Sequence, residues 1–517
     1  MSSLREAFHR IPGLAAAGRS GWRGDLATAL LGALLVRAFA PYGAYPLAVL
    51  APWGLLWLIT DATPRRAAWR GFLFGAAEFG CGVHWLYISL HDMGGLESAL
   101  SVLMLAVLVA IMALYSAAAC TLAVRYARGG AMRSLLLFPA AWTLLEWVRS
   151  WFLTGFPWLS LGYSQVDGPL RGYAPLAGVF GVSFLALLCA GLLREAFAGN
   201  AAWRRRAVML AACAGLWAAG GLLAGLRWTH PAGPDLSVSL VQGDVPQDQK
   251  WSPEAFTPTL KLYRDLTDVR WDSRLIVWPE AAVPAYADEV QLDYLDPLEA
   301  DARRHGTDIL LGVPTYDPLD DDYYNSVISL GGSDGTYDKR HLVPFGEDFE
   351  FLPKWVKSVL HSLDLPYSSF TPGAADQPLL KAAGYPVGTS ICYEDAFGDE
   401  IMRALPEAAF LVNVSNDGWF GRSIALPQHL EIARMRAIET GRWLLRATNT
   451  GVTAIVDDQG RVRARAPLNQ VSVLDGSLTP LAGATPLIHW GDWGAAGLSF
   501  LLLLVGVWHA LRQGNAT

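Results

Sequence analysis

Long apolar runs, separated by loops that are basic at every second turn, constrain this chain more than any single motif. Stretches of bilayer-crossing length, roughly 20 residues each, recur near 24–41, 45–61, 68–90, 98–124, 133–152, 173–193 and 206–227, and once more near 490–511. Inside lipid a backbone must close its own hydrogen bonds, so such segments are expected as helices. Hydrophobic residues make up 52% of the 517 positions and charged residues only 17%, a balance suited to a membrane protein. Many of the 21 Trp stand at the ends of the apolar runs, where indole rings favour the interface. The expectation is an α-helical transmembrane bundle of about eight spans.

The loops orient it. Arg5, Arg10, Arg19 and Arg23 precede the first run; Arg65, Arg66 and Arg70 follow the second; Arg125, Arg128 and Arg133 follow the fourth. Arg194, Arg204, Arg205 and Arg206 follow the sixth, and Arg512 follows the last. The intervening loops, at His91 and from Phe152 to Leu170, are poor in Lys and Arg. By the positive-inside rule the basic loops and both termini are cytoplasmic, with an uncleaved first span. The expected organisation is a membrane domain over 1–227 with seven spans, a periplasmic domain over 228–488, and a final span with a cytoplasmic tail over 489–517.

The segment 228–488 has a different character. Short β-branched runs, such as Leu236–Gln242, Asp308–Val313, Val387–Cys392 and Phe410–Val414, alternate with helical patterns at Pro253–Asp268, Asp293–His305, Asp399–Leu405 and Gln428–Thr440. Interleaving of this kind argues for an α/β or layered α+β domain. Asp334-Gly335 reads as a hairpin turn leading toward Lys339.

Of five cysteines, Cys81, Cys120, Cys189 and Cys213 lie in apolar runs and read as small packing residues. Cys392 stands alone in the polar segment and reads as a free thiol. No Cys/His spacing suggests a metal, and no Lys/Arg-rich tract with interleaved aromatics suggests nucleic acid.

Three reactive groups end strand-like segments: Glu280 in Val277-Trp-Pro-Glu280, Lys339 in Tyr337-Asp-Lys339, and Cys392 before Tyr393-Glu394-Asp395. Each alone has an ordinary structural reading: a capping carboxylate, a solvated lysine, a core cysteine. A thiol, a base to deprotonate it and a cation where negative charge develops are together the parts of a covalent acyl-transfer site. Trp278-Pro-Glu280, the stretch Tyr337–Glu347 and Ile391–Asp395 resemble, in order and spacing, the nitrilase (carbon–nitrogen hydrolase) superfamily. With membrane runs on both sides, the chain is similar over nearly its whole length to the apolipoprotein N-acyltransferase family. Val241–Trp251, Asn413–Gly421 and Gly155–Tyr163 match further.

That resemblance implies an αββα sandwich and a Glu-Lys-Cys triad: Glu280 as general base, Lys339 as cationic stabiliser, Cys392 as nucleophile. Glu347 is implied as a further essential carboxylate, with Tyr393 and Glu394 flanking the thiol. Trp251, Asn325, Trp419 and Trp158 match positions near the site or its entrance. The implied reaction takes a fatty acyl chain from a phospholipid, phosphatidylethanolamine being the expected donor, through a thioester. It then passes to the α-amino group of a diacylglyceryl apolipoprotein, at the outer face of a bacterial inner membrane. No cofactor or metal is implied. The flanking spans would restrict the assembly seen in soluble relatives, so a monomer is expected. A membrane-tethered amidase transferring to water is the alternative. The segment Phe349–Pro372 is long enough to act as a cover over the site. Among ionisable residues in or near spans, Glu78, His84, Glu146 and Arg149, the last two share a helix face and are expected to pair.

Overall fold

The computed structural model describes residues 21–127, 129–199, 201–344, 346–347 and 370–514, so the expected cover lies outside the described residues apart from its last three positions. The chain divides into two units. One runs to His84, then Val102–Leu226 and from Asp492 onward; the other comprises Trp85–Ser101 and Arg227–Gly491.

The first unit is helical. Four helices are long and apolar enough to cross a bilayer: Ser98–Arg125, Pro169–Ala196, Trp203–Leu223 and Trp493–Arg512. The other four expected spans form helices that do not meet that measure. Gly21–Leu35 has 15 residues and Leu47–Ile59 has 13, about 20–23 Å at 1.5 Å per residue against ~30 Å of hydrocarbon. Phe138–Arg149 has 12 residues and continues from a π-turn over Arg133–Leu137. Pro64–Gly82 has 19 but carries Arg65, Arg66, Arg70 and Glu78. Its start is set by Thr63, whose hydroxyl accepts from Arg66 N at 3.3 Å, with Pro64 in the first turn.

The expected Glu146–Arg149 pair is corrected by the structure. Arg149 donates to the carbonyls of Phe156 (2.8 Å) and Trp158 (2.6 Å) and to Ser160 Oγ (3.2 Å). Glu146 Oε1 accepts from Trp142 Nε1 (3.1 Å) and Leu161 N (3.0 Å). Arg149 ends the helix and folds onto the loop that follows, whose free carbonyls need donors.

The second unit holds two six-stranded sheets and a short ribbon. The strands are β1 (Thr229–Pro231), β2 (Leu236–Gln242), β3 (Leu275–Val277), β4 (Asp308–Asp317), β5 (Asp322–Leu330), β6 (Gly335–Asp338), β7 (Leu380–Ala382), β8 (Tyr385–Ile391), β9 (Phe410–Ser415), β10 (Leu444–Thr448), β11 (Ala454–Val456), β12 (Val462–Arg465), β13 (Ser472–Leu478) and β14 (Leu481–Gly483). One sheet runs β13-β2-β3-β4-β5-β6, the other β12-β11-β10-β9-β8-β7, and β1 pairs with β14. In each sheet three central strands are parallel, β2-β3-β4 and β8-β9-β10, and their outer neighbours are antiparallel.

Parallel neighbours need crossovers, and the helices supply them. α1 (Pro253–Asp268) and α2 (Asp296–His305) link β2, β3 and β4; α3 (Gly398–Met402) and α4 (Ala425–Thr440) link β8, β9 and β10. Ser252 caps α1, accepting from Ala255 N at 3.3 Å, ahead of Pro253 and Glu254. α4 stops at Gly441, where the left-handed φ of 61° suits a residue without Cβ. β2 lies against β10 between the sheets. Tyr263 and Leu298 of the helices pack on Ile276 and Leu311 of the first sheet; Leu430 and Ala433 pack on Leu411 and Leu444 of the second. The layers are helix, sheet, sheet, helix, as the family resemblance implies.

Candidate active site

Each reactive group follows the carboxyl end of a strand, the edge of a sheet where α/β folds place their ligands. Glu280 comes three residues after β3. Gly312 of β4 approaches this turn so closely that a Cβ there would lie 2.4 Å from Pro279 O and 2.7 Å from Glu280 Cα. Ala281 takes a left-handed φ of 46°, a strained backbone for a residue with a side chain. The turn buries the carboxylate. Its Oε1 accepts from Asn325 Nδ2 (2.8 Å) and Lys339 Nζ (3.3 Å), and its Oε2 from Asn416 N (2.9 Å).

Lys339 directly follows β6 and is 1% exposed. Its main-chain N–H continues the pairing with β5, donating to Asn325 O at 2.8 Å. The ammonium lies 2.8 Å from Glu347 Oε2 and 2.9 Å from Oε1. Asn325 Nδ2 also reaches Glu347 Oε1 at 3.0 Å, and Val343 N reaches Oε2 at 2.9 Å. Burial opposes the charge on Lys339, but Glu347 and Glu280 outweigh it and hold the pKa above the ordinary lysine value. The residue is a fixed cation.

Cys392 begins the turn after β8 with φ 52°, again left-handed. Such an elbow lifts a side chain off the end of a strand. The buried Glu394 carboxylate holds it by accepting from Ile391 N (2.7 Å), Arg340 N (2.7 Å), His341 N (3.2 Å) and the Tyr337 hydroxyl (3.0 Å). One side chain thereby ties the cysteine turn to the lysine turn. Burial and the Glu280 carboxylate push the Cys392 thiol well above its ordinary value, against the pull of Lys339. The resting sulfur is protonated and needs a base at the moment of attack. Glu280 is the buried carboxylate whose field acts on it most strongly.

A buried polar cluster supports the elbow from below. The Cys392 carbonyl accepts from Asn413 Nδ2 (3.2 Å) and His429 Nε2 (3.2 Å). His429 lies 3.1 Å from Asp395 Oδ1 and 2.9 Å from Asp417 Oδ1, and Arg446 pairs with Asp395 (3.1 Å) and Asp417 (3.0 Å). Two carboxylates, the guanidinium and a protonated imidazole sum to zero charge. Burial and Arg446 oppose the charge on His429, but Asp395 and Asp417 outweigh them and raise its pKa to about 9. A group held above its unfolded value stabilises fully below that value, and the gain is lost as pH rises through the folded pKa. The expected result is a fall in melting temperature between about pH 6.5 and 9 worth on the order of 3 kcal/mol. Differential scanning fluorimetry of the purified protein checks it. His429→Gln should lower stability at neutral pH and flatten the decline.

The structure thus joins Glu280, Lys339, Cys392, Glu347, Asn325 and Glu394. Tyr393 is buried edge-on to Phe397 (5.0 Å between centroids) and faces His341 (5.8 Å). Trp251 and Trp419, in the second unit, are 53% and 43% exposed. Trp158 lies in the first unit, buried and stacked on Phe156 at 6.4 Å. Sequence reasoning missed Asp395, Asp417, His429 and Arg446 as a cluster, and Lys250, whose Nζ donates to Glu280 O at 3.1 Å. Lys250, Asp395, Asn416 and Asp417 lay inside matching stretches, which was the available signal; His429 and Arg446 come from other segments. Among the described residues no group of His, Cys, Asp and Glu is arranged to hold a metal.

Known proteins agree with this architecture along its length. Residues 31–192 match the family model of the apolipoprotein N-acyltransferase N-terminal domain, and residues 237–486 match that of carbon-nitrogen hydrolase. The apolipoprotein N-acyltransferase of Methylococcus capsulatus is 49% identical, covering 94% of this chain and 96% of its own. That of Nitrosomonas europaea is 44% identical over 93% and 96%, and that of Azotobacter vinelandii 42% over 96% and 96%. Two family models that together span most of the chain, and relatives 42–49% identical over nearly its whole length, show that the chain belongs to the apolipoprotein N-acyltransferase family of acyltransferases.

Proposed function

We propose that Cys392 carries the acyl chain as a thioester, with Glu280 moving the proton and Lys339 holding the charge that develops. The observation that carries this reading is the Glu280–Lys339–Glu347 arrangement set beside a buried thiol that is protonated at rest. In the first half-reaction Sγ gives its proton to Glu280 and attacks the ester carbonyl of a phospholipid. The tetrahedral oxyanion forms in the field of Lys339. The ester C–O bond breaks, and the lysophospholipid oxygen leaves with the proton from Glu280. In the second half-reaction the free α-amino group of a diacylglyceryl apolipoprotein attacks the thioester. Glu280 takes the amine proton, the C–S bond breaks, and the sulfur is reprotonated. The product is an N-acylated lipoprotein with an amide bond.

Glu347 is read as the second anchor of Lys339, Asn325 as the donor that orients both carboxylates, and Glu394 as the brace of the elbow. Tyr393, Trp251, Trp419 and Trp158 are read as substrate-side residues. The alternation of basic loops supports a multi-pass protein of a bacterial inner membrane, with a membrane domain over 1–227, a periplasmic catalytic domain over 228–488 and a last span and cytoplasmic tail over 489–517. Both substrates are lipid-anchored, which suits a monomer working within one leaflet.

Purified protein incubated with phosphatidylethanolamine is expected to gain one fatty acyl mass. It should then lose that mass to a diacylglyceryl-cysteine peptide with a free amine, and keep it when the amine is acetylated. Release of free fatty acid at the same rate with either peptide would replace this reading with transfer to water.

A further inference from the structure

The geometry points to Lys250 as a positioning residue for the acyl-transfer site: its ammonium clamps the Glu280 main chain and sets a second positive charge behind the Glu280 carboxylate. The inference rests on Glu280 as the base. Lys250 lies in the turn between β2 and α1, where its N–H bonds Pro246 O at 3.0 Å. Trp251 beside it is more than half exposed, yet Lys250 is 2% exposed. A lysine seldom surrenders its hydration unless paired. Among the described residues no carboxylate lies within ion-pair distance of this one; its nitrogen reaches Glu280 O at 3.1 Å, and Glu280 is the charge that acts on it.

The clamped carbonyl belongs to the strained turn described above, between Pro279, pressed by Gly312, and the left-handed Ala281. A donor on that carbonyl opposes rotation of the peptide that aims the carboxylate. The charge has a second effect. The titratable and charged groups facing Glu280 are Lys339 from the end of β6, Glu347 from the loop after it, Cys392 from the end of β8, and Lys250 from the turn after β2. With the thiol neutral, Glu280 and Glu347 balance Lys339 and Lys250. Without Lys250 these groups carry a net negative charge, which opposes the ionised carboxylates of the pocket. Burial lowers the pKa of Lys250 to about 8, against the pull of Glu280, so the ammonium is still the main form at neutral pH.

The experiment is the pH profile of thioester formation by the full-length enzyme in mixed micelles with phosphatidylethanolamine, read as acyl-enzyme mass. Lys250→Gln keeps a donor for the carbonyl and removes the charge; Lys250→Met removes both; Lys250→Arg keeps the charge. The expected result is an acid limb raised by roughly 0.5–2 pH units in the Gln and Met variants and restored by Arg. The apparent KM for phospholipid should change little. An unmoved limb in a folded neutral variant overturns the proposal. Unfolding of both neutral variants, with a folded Arg variant of wild-type profile, also overturns it and leaves Lys250 as support for the fold. Glu280→Gln separates the two levels. If it still forms the thioester at the wild-type rate, the assignment of the base fails; if it is inactive while the Lys250 variants keep the wild-type limb, only the role of Lys250 fails.

Discussion

Cys392→Ala is expected to abolish the acyl-enzyme and turnover together while the protein stays folded. Removing Sγ removes the nucleophile, and neither Glu280 nor Lys339 can form a thioester in its place. Folding should survive because the replaced atom is small. The left-handed φ of 52° is no harder for alanine than for cysteine, and the elbow is held through Glu394 and the Cys392 carbonyl, contacts the substitution leaves in place. The cost in stability is about 1 kcal/mol, readable as a small shift in melting temperature. Intact mass after incubation with phosphatidylethanolamine checks the chemistry. Wild type should carry one acyl chain that neutral hydroxylamine removes, and the variant none. An adduct on Cys392→Ala would place the acyl group on another residue and remove the thiol from the mechanism.

What was legible in the sequence followed from how locally each feature is determined. The central strands are β-branched runs buried on both sides, and β2, β4, β8 and β9 fall where those runs stand. The edge strands β12 and β7 were not foreseen: Val462–Arg465 is largely exposed and half arginine, and Leu380–Ala382 is three residues long. Their pairing is decided by the neighbour, not by their own composition. The expected span count relied on apolar composition alone. Helices such as Leu47–Ile59 show that apolar composition and the length of regular helix are separate quantities, here uncoupled by the prolines at 41, 46 and 52.

The proposed triad could be picked out in the sequence because each member carries a short local motif. Lys250 was not, because a lysine between glutamine and tryptophan in a polar turn has no local mark of burial; only the fold of the turn carries it to Glu280 O. The charge-neutral cluster under Cys392 is assembled from β10, α4 and the turns after β8 and β9. A protonated histidine there is a property of the assembled set and of no one segment. In the proposed mechanism this cluster holds Cys392 through its own carbonyl.

Lys339→Met should cost the enzyme about 10²–10³ in turnover, the usual effect of losing one stabiliser of a developing oxyanion, and it should also destabilise the fold. The stability effect follows from what the lysine leaves behind. Its ammonium lies 3.3 Å from Glu280 and 2.8 Å from Glu347. Methionine fills the space but strands two buried carboxylates that share Asn325 as a donor. Breaking a buried pair by removing one partner costs about 3–5 kcal/mol, enough to lower the melting temperature by several degrees. The two losses separate in the double variant. Lys339→Met with Glu347→Gln removes one of the two stranded charges, so part of the stability should return, the two sites being coupled and non-additive. Activity should not return, because no cation faces the oxyanion. Melting temperature and the rate of acyl-enzyme formation, measured on the same preparations, test both halves. A double variant that regained the rate would show that Lys339 serves only to neutralise Glu347. One that regained neither would show that Glu347 has partners of its own whose loss matters as much, beginning with Val343 N at 2.9 Å.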